Sequence, residues 1–200
     1  MSYPTFYDEV EKIELYDPLA EFLGSFDDGK ITIKYINIVK SAGHSCPTVA
    51  GAYLITKEAL KALYPDSLPV RGNIKVEFKE DEKDGVAGVI ANVISNITGA
   101  TEHTGFKGLN GKFARHSLMS FNADTKASAR FSRVDNGKSV EVFYDPSGVP
   151  ASADMQPLMG KMMQGVASDE EKKLFGKLWQ ERVAKILTNG SKYPNLIKIS

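Results

Sequence analysis

The sequence predicts an α+β fold: an antiparallel sheet with packed helices and a C-terminal helical appendage. Three observations carry this. Val49, Ala52, Tyr53, Thr56, Ala59, Leu60 and Leu63 recur at the spacing of one helix face, directly after Pro47. Proline suits the first helical position because its missing N–H is not needed there. Strand-like alternation appears at Ile74, Val76 and Phe78, and again on both sides of Asp135-Asn136-Gly137, whose chemistry fits a tight hairpin. Finally, Ser168 and Glu171 form a capping-box pattern ahead of Leu174, Phe175, Leu178, Trp179, Val183, Ile186 and Leu187, a long helix closed by Asn189-Gly190.

Taken in order, residues 5–24 read as one or two short helices. Phe6, Val10 and Ile13 share a face, and Asp17-Pro18 interrupts before Leu19, Phe22 and Leu23. Asp27-Asp28-Gly29 is a turn. Residues 31–41 fit a strand through Ile31, Ile33 and Tyr35, or a helix through Ile33, Ile36 and Val39 with Thr32 as its cap; the helix is preferred. Pro69 to Lys79 reads as a strand and Glu80 to Gly85 as a charged turn. Val86 to Ile97 is β-branched in composition, yet Val86, Val89, Ile90, Val93, Ile94 and Ile97 also share a helix face, so both readings stand. Residues 98–112 hold four glycines, the mark of unusual backbone angles or close approach. This is no Walker-type phosphate loop, since Phe113 follows Lys112. Strands are expected at 116–122, 128–134 and 138–144, then a linker at 145–154. Met155, Leu158, Met159, Met162, Met163 and Val166 form a helical stripe suited to the core or to a homodimer surface.

Lys+Arg and Asp+Glu balance at 25 each, so no long-range field recruits nucleic acid or an anionic membrane. One cysteine excludes an internal disulfide and any multi-cysteine cluster. Neither a signal-peptide pattern nor a membrane-length apolar run occurs, which points to the cytoplasm.

The chemistry concentrates in Ser41-Ala42-Gly43-His44-Ser45-Cys46-Pro47, where the single cysteine lies two residues from a histidine. Imidazole and thiolate suit a borderline-soft cation such as Zn²⁺. Cys46 falls at the helix N-cap, where dipole and backbone donors favour its thiolate. A buried cysteine and a hydrogen-bonded histidine would serve structure equally well.

Gly43-His44-Ser45-Cys46-Pro47 before a helix resembles the Gly-His-x-Cys-Pro signature of the FmdE family of formylmethanofuran dehydrogenase proteins. Glu102-His103-Thr104-Gly105-Phe106-Lys107-Gly108 is similar to that family's second segment, with His103 in place of a cysteine, and Gly111-Lys112-Phe113 is similar to its later Gly-Lys. Many members carry His-Gly-His, whereas here Ser41-Ala42 precede Gly43-His44, and the cysteines of the C-terminal zinc finger found in some members are absent. The resemblance implies an α+β metal-binding core over 30–150, commonly in a homodimer; residue patterning adds an N-terminal helical segment at 1–29 and a C-terminal helical extension at 151–200.

On this resemblance His44, Cys46 and His103 would ligate a divalent transition metal, zinc first and nickel or iron as alternatives. The fourth position would take water, a small-molecule ligand or Glu102. His116 is the weakest candidate. The expected function is metal binding at an open His/Cys site. One alternative is a metal- or thiolate-dependent enzyme on a small molecule, with Glu102 or Lys112 handling protons or oxyanions. The other is an accessory module that docks a larger oxidoreductase through its Met and Trp helices. Whether the chain is an enzyme stays open.

Overall fold

Residue spacing near the N-terminus is settled by partners distant in sequence. In the computed structural model, which describes residues 2–200, Thr5–Asp8 is a 3-10 turn and Ile13–Tyr16 is a strand, β1. Ile13 therefore leaves the helix expected there. It alternates with Leu15 into the core while β1 pairs antiparallel with β2 (Lys30–Ile33), Ile13 opposite Ile33. Between them Asp17 caps the short α1 (Pro18–Phe22), accepting from the Leu19 and Ala20 N–H groups. The ambiguous 31–41 stretch divides: its start is β2, its remainder α2 (Tyr35–Ala42).

Helix α3 (Pro47–Leu63) is the axis of the molecule. Tyr53, Ile55, Ala59, Leu60 and Leu63 are fully buried on it. Each such leucine or isoleucine contributes about 1.5–3 kcal/mol by leaving water. Helix α4 (Ala87–Thr98) packs beside it. Burial of Ile90, Val93, Ile94 and Ile97 as α4 packs against α3 and α2 overrides the β-branched composition of this segment, and Gly99, at φ 76°, closes its last turn.

The main sheet holds β3 (Ile74–Glu77), β4 (Met119–Ser120), β5 (Ala129–Arg133), β6 (Ser139–Tyr144) and β7 (Ile197–Ile199) in the order β4-β3-β5-β6-β7. All pairs are antiparallel except β3–β4, which is parallel. The strand expected over 116–122 shortens to β4, because the Gly-rich loop before it is tied back to its own chain. The Asp135-Asn136-Gly137 hairpin forms as expected, with Phe131 opposite Val140. Val76, Phe131 and Val142 face the helices, whereas Glu77, Arg130 and Glu141 line up on the outer face, Arg130 donating to Glu141 at 2.7 Å.

The C-terminal segment forms α5 (Met155–Met163) and α6 (Asp169–Thr188), the latter opened by the expected Ser168/Glu171 capping box. Helix α6 packs on α3 through Val183, Ile186 and Leu187, and the chain then returns to the sheet as β7. In the Met stripe, Met155 and Leu158 are buried, whereas Met163 and Val166 are exposed. No helix among the described residues is long and apolar enough to cross a membrane.

A buried ion cluster joins the β1–α1–β2 segment to the main body. The Asp17 carboxylate accepts from Arg71 Nη1 at 3.0 Å and from Arg115 Nη2 at 2.6 Å. Arg71 also donates through Nε to the Ile97 carbonyl at the end of α4. Burial alone would raise the Asp17 pKa; the Arg71 hydrogen bond and the Arg115 charge outweigh it, and the carboxyl lies below its ordinary value.

Candidate functional site

The His-Ser-Cys-Pro turn is fastened by four side chains from three elements. Gly43 adopts φ 75° at the end of α2, a left-handed turn that redirects the chain into α3. His44 is exposed, its Nδ1 3.0 Å from the Ala42 carbonyl. Cys46 is half-buried at the N-cap of α3, and its Sγ accepts from the Val49 N–H at 3.4 Å. The expected position of the thiol at the helix start is thus observed.

What holds the turn comes from elsewhere. Tyr35 Oη and Ser45 Oγ are 2.8 Å apart. The Ser45 carbonyl accepts from Trp179 Nε1 at 3.0 Å and from Gln180 Nε2 at 3.2 Å, both on α6. Gln180 in turn accepts from Tyr7 Oη at 3.1 Å, and the rings of Tyr7, Tyr35 and Tyr53 meet edge to face. From the sheet, Tyr144 Oη donates to the Pro47 carbonyl at 2.7 Å. Its ring lies against Gly51, where a Cβ would come within 2.3 Å. Burial pushes the Tyr35 and Tyr144 phenols upward in pKa, so both keep their protons. Sequence reading missed these groups. Trp179 and Tyr144 showed in it only as members of a helix stripe and of a strand alternation, neither of which names a partner.

The second segment is built differently. Thr101 and Glu102 are held by main-chain bonds: Thr101 N–H to the Arg115 carbonyl at 2.9 Å, Ser117 N–H to the Glu102 carbonyl at 2.6 Å. His103 projects into solvent, 86% exposed, its Nε2 3.6 Å from Glu102 Oε1. Glu102 and His103 line a groove of about 400 Å³ beside α4, together with Asn92 and Ser95. Lys112 lies in the turn Leu109–Lys112 and is not part of that groove wall. His116 Nδ1 is 3.0 Å from Ser117 Oγ.

The expected metal centre is therefore corrected. His44 lines a crevice between α2 and α4, with Val89, Val93 and Asn96, while His103 lies in the groove on the other flank of α4, with Gly88 and Ala91. The ridge formed by Asn92 and Ser95 borders both. The two histidines flank a helix rather than converge on Cys46. Among the described residues no group of three or more His, Cys, Asp or Glu could hold a metal ion. Zinc, nickel or iron bound by His44, Cys46 and His103 is not supported, and neither is a metal- or thiolate-dependent function built on them. Similarity of sequence segments implied that the three residues meet at one metal; it carried no information on the helix that separates the two histidines.

A more enclosed cavity opens at the head of α3. It measures about 380 Å³ and is lined by Pro47, Thr48, Phe78, Ile90, Ser128 and Tyr144, among others. Phe78, Ala87 and Ile90 are buried in its floor; Glu80, Asp84 and Val86 are exposed at its mouth. Ser128 Oγ, which accepts from the Tyr144 N–H at 3.0 Å, adds a polar group to the wall. The volume falls within the range of small-molecule sites, about 300–1,000 Å³.

Compared with known families, residues 42–192 match the family described as FmdE, molybdenum formylmethanofuran dehydrogenase operon. The match spans the signature turn, both site segments and helices α5 and α6. No curated protein matches the chain.

Proposed function

The chain belongs to the FmdE family, and we propose that it binds a small, mainly apolar organic molecule in the cavity at the head of α3. One observation supports this reading above the others. The signature proline and the next residue, Thr48, form part of the cavity wall, and Tyr144 ties that wall to the sheet. The fastening of the turn by Trp179, Gln180 and Tyr35 keeps the wall in place before a ligand arrives, which lowers the ordering cost of binding.

Saturation-transfer NMR with a set of small aromatic fragments tests this. Val86 stands half exposed at the mouth, so Val86→Trp plugs the cavity without disturbing the core. Val134→Trp, on the exposed surface at the end of β5, is the control. Fragments that bind the wild type and the control but not the plugged variant are the expected result. Equal binding to both variants would reject the site.

We propose in addition that two copies associate through the exposed end of the Met stripe, where Met163 and Val166 present apolar surface that α6 does not cover.

A further inference from the structure

We infer that the cavity at the head of α3 selects an uncharged molecule that presents an acceptor oxygen, a carbonyl above all, on an apolar or aromatic body. The inference rests on the small-molecule reading of the same cavity and deepens it. Charge does not set the choice. The carboxylates among the lining residues, Glu80 and Asp84, are exposed at the mouth, and Lys83 is exposed in the same turn. Arg182 adds a positive charge from behind the wall, where its Nη2 donates to the Pro146 carbonyl at 3.4 Å and its Nε to the Val149 carbonyl at 3.2 Å. Charges of both signs, those at the mouth open to screening, discriminate little between ligands. The inner wall decides.

That wall has protons to give and few lone pairs to offer. Ser128 Oγ spends its oxygen on the Tyr144 N–H at 3.0 Å and keeps its own hydrogen free. The Thr48 hydroxyl has no hydrogen-bond partner among the described residues. The acceptors around them are already in use. The carbonyls of Pro47, Phe78, Glu80, Asp84, Val86 and Pro146 each accept a bond, from Tyr144 Oη, from the N–H groups of Ala123, Asn122, Ala87 and Ile90, and from Arg182. The floor beneath is apolar, with Phe78 and Ile90 buried in it. A carbonyl oxygen turned toward Thr48 and Ser128, with its hydrocarbon body on Phe78 and Ile90, satisfies both hydroxyls and covers the floor. A plain hydrocarbon shuts those protons away from water without a partner. A carboxylate must shed its hydration in an apolar chamber whose inner wall carries no cation.

The test titrates three probes into the full chain by NMR: acetophenone, benzoate, and α-methylstyrene, which has a methylene group in place of the carbonyl oxygen. The hydrocarbon is the more hydrophobic probe, so the quantity compared is the response of each probe to substitution rather than its raw affinity. Thr48→Val and Ser128→Ala should each weaken acetophenone about 3- to 10-fold, the size of one lost neutral hydrogen bond, and leave α-methylstyrene unchanged. Thr48→Val removes a hydroxyl that holds nothing else in the fold, so it stays readable even if Ser128→Ala loosens the strand by freeing the Tyr144 N–H. The ¹³C resonance of a labelled, bound carbonyl should move upfield in the double variant as its donors are lost. Benzoate should bind most weakly. The inference is overturned if benzoate matches acetophenone, or if the variants weaken acetophenone and α-methylstyrene equally. Binding of α-methylstyrene that Val86→Trp abolishes, with acetophenone indifferent to both hydroxyls, would sink the carbonyl selection and keep the cavity reading. Failure of all three probes to bind would overturn both.

Discussion

Asp17 shows how much one carboxylate can carry. It caps α1, and it is the acid shared by Arg71 and Arg115, the latter 7% exposed in its side chain. Asp17→Asn keeps the shape and strands a buried guanidinium, so a loss of about 3–5 kcal/mol is expected in urea unfolding. The pH dependence follows from the direction of the shift. The folded carboxyl titrates below its unfolded counterpart, so its stabilisation is complete above the unfolded value, about 4, and drains away as pH falls through the folded one. Wild type should therefore lose melting temperature through that acid range more steeply than Asp17→Asn does. At the signature turn, Tyr144→Phe removes only the bond to the Pro47 carbonyl and should cost about 1 kcal/mol. Gly51→Ala should cost more, since its methyl would strike the Tyr144 ring itself.

Helices α3 and α6 were legible because their signals are local: a proline start, a capping box, and long stripes on one face. β1 and α4 were not, for the converse reason. Ile13 becomes a strand residue only when Ile33 arrives opposite it, and the valines and isoleucines of α4 become helical only when α3 and α2 bury them. Docking of α6 on the signature turn has a measurable effect. Trp179→Phe deletes the Nε1 bond to the Ser45 carbonyl, and Cys46, the next residue, should label with a thiol reagent several-fold faster as its turn loosens. An unchanged rate would show that Gln180 and Tyr35 suffice. For α5, Met163→Glu with Val166→Glu places charge on the exposed apolar end. If that surface joins two copies, light scattering should fall from the dimer mass to the monomer mass; a wild-type monomer would remove the proposal outright.

At the scale of the whole molecule, the candidate cavity exists because α3, α4 and the sheet where β5 begins and β6 ends leave a gap that none of their side chains fills. Nothing in a linear pattern announces such a gap. The signature turn was visible as chemistry, whereas its true neighbours, Tyr144 from the sheet and Trp179 from α6, are about a hundred residues or more away in sequence. The chain also carries a single tryptophan and a single cysteine, and the fold sets them against consecutive residues of one turn. Trp179 emission and Cys46 accessibility report on the contact between C-terminal helix and signature, while circular dichroism reports on the bulk of the sheet and helices. Coincident denaturant transitions would make 151–200 part of one cooperative unit with the rest, and an earlier tryptophan transition would mark it as a separately melting segment. The same pair makes the native, unsubstituted protein its own optical ruler. A chromophore attached to Cys46 that absorbs where indole emits would extinguish Trp179 whenever α6 is seated, and each departure of the helix would appear as a recovery of ultraviolet light.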